Sequence, residues 1–178
     1  IVTHRGRLQA LYGQAAVQAL DQALTRLAGA ATVKGMVVDV GQDQAAAQVV
    51  AAWVADLTNA DKANRVADAV RNVVLRQWAH SSDLAYIVLV GDDRVIPYRR
   101  IADRPEITRI QERDYPDVSP GTSVGAALQA NMSLNDDFYA DRSIETWEGQ
   151  PAPLPELAIG RLVETPADII SAINALSL

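Results

Sequence analysis

Two short apolar runs constrain this chain more than any other feature. Residues 35–40 read Gly-Met-Val-Val-Asp-Val and residues 85–90 read Ala-Tyr-Ile-Val-Leu-Val. Both are nearly continuous rather than alternating, which is the pattern of strands covered on both faces. A third piece opens the chain, Ile1-Val2-Thr3, and a fourth runs over residues 156–159. The stretches between them carry helical rhythm. Leu8, Leu11, Ala15, Leu20, Leu24 and Leu27 recur near a 3.6-residue period and predict one helix over 8–27. Val49, Val50, Trp53 and Leu57 predict a helix over 44–57, and Val66, Val70, Val73, Val74 and Trp78 another over 64–78. The polar stretch 58–61 separates these two, with Asp61 as a candidate cap. Strand, helix, strand, helices, strand implies an α/β fold: a mostly parallel sheet of four strands or slightly more, with helices on both faces in a three-layer, flavodoxin-like or caspase-like arrangement.

The chain has 178 residues, enough for one α/β domain over 1–178 with a substantial core. Residues 101–155 break the pattern. They hold six of the eight prolines and only a brief helix-compatible piece at 124–129, so they read as a long irregular loop of functional character, with an edge strand expected at 107–110. After the fourth strand, Thr165-Pro166-Ala167-Asp168 has the order of a helix start. The first residue is not methionine, and the last ten continue an apolar rhythm; we therefore expect a stretch cut from a longer protein.

Composition removes several functions. Sixteen basic against 22 acidic side chains give a net charge of −6, and the one basic cluster, Arg94 with Arg99-Arg100, reads as surface; nucleic acid is not an expected partner. With no cysteine, the chain can supply neither a thiolate nucleophile nor a thiolate metal site. Two histidines, His4 and His80, are too few for a multi-histidine zinc centre, and both read as helix-terminal residues. No apolar run approaches the ~20 residues that cross a bilayer, and no signal peptide is visible. Glycine spacing fits neither the dinucleotide fingerprint nor the P-loop.

Three places remain as candidate sites. Gly91-Asp92-Asp93 closes the central strand, where open parallel sheets bind ligands; the two carboxylates can anchor a loop through amide hydrogens or help hold a hard cation such as calcium. Asp136, Asp137 and Asp141 form a second acidic group whose spacing is not that of an EF-hand, with Phe138 and Tyr139 expected to plug the core beneath it. Gly121-Thr122-Ser123-Val124-Gly125 matches the hydrolase-elbow string, but no buried strand precedes it and both histidines lie upstream, so a flexible glycine loop is expected there. Gly160-Arg161 after the fourth strand can turn the chain and offer a guanidinium to an acid of the long loop.

Taken in order, these pieces resemble the gingipain-type cysteine endopeptidases, peptidase family C25 of the caspase-like clan. The matching pieces are Val2-Thr3-His4, Tyr86 to Asp92, Ile96-Pro97, Asp136-Asp137-Phe138-Tyr139, and Ile159-Gly160-Arg161-Leu162 ahead of a helix. The resemblance implies that this is the amino-terminal, non-catalytic subdomain of a catalytic unit. Its partner would be a downstream subdomain bearing a His-Gly histidine and a cysteine nucleophile, and its substrate a protein or peptide. It implies catalytic residues outside this chain, and structural roles for Gly91, Pro97, Tyr139, Gly160 and Arg161. It also implies an extracellular or cell-surface location, and structural calcium with Asp92, Asp93, Asp136, Asp137 and Asp141 as candidate ligands. Two other readings stand beside it: a C25-like module that keeps the fold for binding or assembly, and an unrelated flavodoxin-like or receiver-like domain. Lysines only at 34 and 62 argue against a receiver. The acidic turn Asp114-Tyr115-Pro116-Asp117 and the length of the 101–155 loop depart from the family pattern and bear on substrate preference.

Overall fold

The computed structural model describes residues 1–103, 118–147 and 149–176. The chain begins with β1 (Val2–Thr3), α1 (Arg5–Tyr12) and α2 (Gln14–Gly29), then β2 (Val38–Asp39) and a 3-10 turn at Val40–Gln42. Next come α3 (Gln44–Val54), α4 (Ala60–His80) and β3 (Tyr86–Val90). The region expected to be one irregular loop holds β4 (Arg99–Ala102), α5 (Ser123–Gln129), β5 (Met132–Asn135), a 3-10 turn at Asp137–Ala140, β6 (Glu145–Trp147) and β7 (Gln150–Ala152). The chain ends in β8 (Ala158–Leu162) and α6 (Pro166–Ala175).

Strands β1, β2, β3 and β8 form a parallel sheet in the order β2-β1-β3-β8. Helix α2 packs on α6, and α3 on α4, so helices cover both faces of the sheet. Their apolar stripes meet strand side chains in a contiguous core that includes Leu20, Leu24, Trp53, Val66, Val70, Ile87, Leu89 and Ile169.

Several details differ from the sequence reading. The single helix over 8–27 is two, because Gly13 sits at φ 82°, where a helix cannot continue. Helix α4 starts earlier, capped by the Asn59 side chain accepting from Lys62 N–H; Asp61 lies in the first turn instead. Strand β8 is shifted toward the carboxyl end and contains Gly160-Arg161, which therefore run straight beside Val88 and Leu89 and do not turn the chain. Among its described residues, the 101–155 excursion is organised by two antiparallel pairings, β4 with β5 and β6 with β7. Cross-strand hydrogen bonding there outweighs the proline content. The edge strand expected at 107–110 and the turn at 114–117 lie outside the described residues.

Candidate functional site

The parallel sheet brings the ends of β1, β2, β3 and β8 to one rim. Between β1 and β3 the order reverses, the position at which open α/β sheets bind ligands. Gly91 makes the turn out of β3. Its φ is 107°, and a Cβ there would lie 2.6 Å from Val95 Cβ, so only glycine fits. Its N–H donates to Leu162 O at 2.8 Å, tying the turn to the end of β8.

The two aspartates that follow have different fates. Asp92 stays near the surface and accepts from Arg94 N–H at 2.9 Å and from the Arg94 guanidinium. Asp93 is 3% exposed. It accepts from Tyr98 N–H at 2.9 Å, from Arg100 Nη2 at 2.7 Å and from Ser123 Oγ at 2.5 Å. Arg100 was expected at the surface with its neighbours but is buried, because the carboxylate of Asp93 holds it inside the corner. Ser123, in turn, is not in a flexible loop. It is the first residue of α5, capped by Thr122, and its hydroxyl is held by Asp93. Gly125 serves packing, since a Cβ would fall 2.0 Å from Ser119 O. No histidine bonds to this serine, so the elbow string here has no catalytic context.

Arg161 binds the same corner from the side. Nη1 donates to Gly91 O at 3.0 Å and Ile96 O at 2.7 Å, while Nε and Nη2 grip Asp136 at 2.8 and 2.5 Å. The guanidinium also lies 4.2 Å from the centre of the Tyr98 ring. Burial works against its charge, but the hydrogen bonds and field of Asp136 more than offset this and raise its pKa. Tyr139 is fully buried, donates to Pro97 O and, through burial, holds its proton far above the usual phenol range. The ring of Phe138 beside it has the Arg99 guanidinium 4.4 Å and the Arg71 guanidinium 5.3 Å from its centre. Gly160 faces open space from β8.

At the end of β1, His4 caps α1: Nδ1 accepts from Arg7 N–H at 3.3 Å. Its Nε2 is buried without a partner among the described residues, as is Thr3 Oγ1. Burial lowers the His4 pKa, with Asp39 partly opposing. Asp39 accepts from Arg5 N–H and Gly41 N–H and fixes the turn after β2. The sequence reading missed it, although an acid inside an apolar run was a visible signal. For Arg100, no local signal distinguished it from its neighbours.

The structure keeps the two acidic groups apart in function. Asp141 spends its carboxylate on Ser143 N–H and Leu154 N–H, Asp136 on Arg161, Asp93 on Arg100, and Asp92 on Arg94. Asp137 makes no side-chain hydrogen bond or ion pair among the described residues, and there no three acids or histidines converge as a metal site. A cation at Asp92, Asp93 or Asp136 would compete with the guanidinium groups those carboxylates now hold.

Such a rim belongs to an open α/β domain whose ligand-binding end is closed by ion pairs. The family model for peptidase family C25 matches residues 14–176, and the chain belongs to that family. Comparison with curated proteins and with solved structures gives no match. Without cysteine, these residues cannot perform thiolate chemistry on their own.

Proposed function

We propose that this chain is the supporting, amino-terminal half of a cysteine endopeptidase unit, with the thiolate and its histidine supplied from outside these 178 residues. The observation that carries this reading is the self-contained rim. In a family defined by peptidases, the strand ends that would present catalytic groups are occupied by Asp93–Arg100–Ser123 and Arg161–Asp136. Every one of those groups is used to hold the corner in shape. The rim is a scaffold against which a second half can be positioned. On this reading the protein acts on proteins or peptides outside the cell or at its surface.

The test is covalent labelling of the protein that contains this chain, using peptidyl chloromethyl ketones and intact-mass readout. One label per molecule, on a cysteine outside this chain and lost when a histidine outside it is replaced, is the expected result. A folded sample that takes no label overturns the peptidase reading and leaves a non-catalytic family member.

A further inference from the structure

The ion pairs that close the rim lie on its β3–β8 side, and the β1 side is different. Strand β1 runs into α1 through His4, and the first turn of α1 holds Arg5 and Arg7 with no acid. A helix N-terminus favours negative charge, so both arginines sit against the field of their own helix. Arg5 is compensated by Asp21 at 2.8 Å and Asp39 at 3.4 Å. Arg7 is not. Its Nε donates to Arg94 O at 3.0 Å, joining the exit of β1 to the exit of β3, and its guanidinium makes no ion pair among the described residues.

Arg94 carries the second positive charge at this junction. Its Nε donates to Asp92 at 2.9 Å and its Nη2 to Tyr12 Oη at 3.3 Å, so groups from both α1 and the β3 turn fix it. Burial and the field of Arg94 lower the Arg7 pKa, with Asp92 partly opposing. Two guanidinium groups and one carboxylate leave one positive charge where the strand order reverses, the position at which open α/β sheets bind ligands. Because Nε of Arg7 is used, Nη1 and Nη2 remain without an acceptor among the described residues. That end-on pair matches the two oxygens of a carboxylate, whose single charge also balances the site. A phosphate dianion would exceed that balance and face Asp92.

We propose that Arg7 and Arg94 form a carboxylate-binding site at the junction of the β1 and β3 ends, with Arg7 taking the ligand end-on and Arg94 held in place by Asp92 and Tyr12. The carboxylate is that of a small free acid or of an acidic side chain in a peptide. The site stands apart from the peptidase reading, because its groups bind a carboxylate whether or not the full protein has a nucleophile.

The test is a titration of the full protein at constant ionic strength, followed by the arginine Nε–Hε NMR signals and assigned with Arg7→Gln and Arg94→Gln. Sodium acetate should shift the Arg7 signal saturably, and sodium chloride should not. In Arg7→Gln the Arg94 signal should no longer respond. Arg94→Gln should weaken acetate at least ~10-fold, since it removes a guanidinium and leaves Asp92 unopposed. Capped glutamate separates the two sources: binding at least ~10-fold tighter than acetate supports the site with a peptide as ligand, and parity supports it with a free acid. Equal binding of capped glutamine overturns carboxylate recognition, as does inorganic phosphate binding at least ~10-fold tighter than acetate. No saturable shift at Arg7, or the same shift with chloride, overturns the site itself and leaves the labelling experiment untouched.

Discussion

Replacing Asp93 by asparagine should destabilise the protein far more than the change of one atom suggests. Asparagine can still accept from Tyr98 N–H, but the Arg100 guanidinium is then left charged with its side chain 1% exposed. Breaking a buried pair from one side costs about 3–5 kcal/mol, because the surviving charge keeps the Tyr98 carbonyl but loses its carboxylate and has no solvent. At about 2–4 °C per kcal/mol for a chain of this size, the thermal midpoint should fall by roughly 6–20 °C. The converse is as informative. Asp93→Leu with Arg100→Met removes both charges at similar volume and should recover part of the loss, since desolvation no longer opposes burial. Recovery is partial because leucine leaves Tyr98 N–H and the Ser123 hydroxyl without the acceptor that asparagine still offers, at about 1–3 kcal/mol for each buried group left unpaired. Urea unfolding of the wild type, Asp93→Asn and the double variant gives the three free energies. A loss below ~1 kcal/mol in Asp93→Asn would mean that water reaches Arg100 and that the β3 corner is not anchored as described.

Other consequences follow from the same rim. Ser123→Ala should cost about 1–2 kcal/mol by leaving Asp93 one donor short, yet leave chloromethyl ketone labelling of the full protein unchanged; loss of labelling in a stable variant would make Ser123 part of the chemistry. Gly91→Ala meets Val95 at 2.6 Å with φ at 107°, and a fall in thermal midpoint of less than ~2 °C, under about 1 kcal/mol, would contradict that geometry. Chelator and added calcium should leave the thermal midpoint of this chain unchanged, whereas a calcium-dependent rise would place a cation among the aspartates. His4 has its folded pKa lowered from an ordinary 6.5, so the stability tied to its neutral form is complete above that value and is lost as pH falls through the lowered one. His4→Asn keeps an α1 cap without titrating, and urea unfolding at pH 7.5 and pH 5 should show a smaller difference in the variant than in the wild type.

The sheet was legible because its signals were redundant. Residues 85–90 lack alternation, are flanked by polar punctuation, and sit between helical rhythms, so three independent cues agree on a buried parallel strand. The break at Gly13 was not legible: the apolar stripe continues in phase across it, and only the backbone angle separates α1 from α2. The β4–β5 and β6–β7 pairings were hidden for a related reason. Arg99 pairs with Asn135, 36 positions along the chain, and although Glu145 meets Ala152 only seven positions away, prolines dominate the local composition. Charged residues were hardest of all. Arg99 and Arg100 are adjacent, yet one reaches the surface acid Asp68 and the other the buried Asp93.

One arginine of the rim does by hydrogen bonding what a bridging cation does by coordination. A cation that fixed Gly91, Ile96 and Asp136 together would need several oxygen ligands aimed at a point. Arg161 does the same task with a planar fork, because its donors reach two carbonyls and both oxygens of one carboxylate without requiring convergence. A lysine there would supply one point of charge and could not span those four acceptors. The fork is carried on β8, so the last strand of the parallel sheet is also the strand that clamps the β3 corner. Any displacement of β8 therefore bears directly on Gly91 and, through the Asp93 corner, on the start of the 101–155 region.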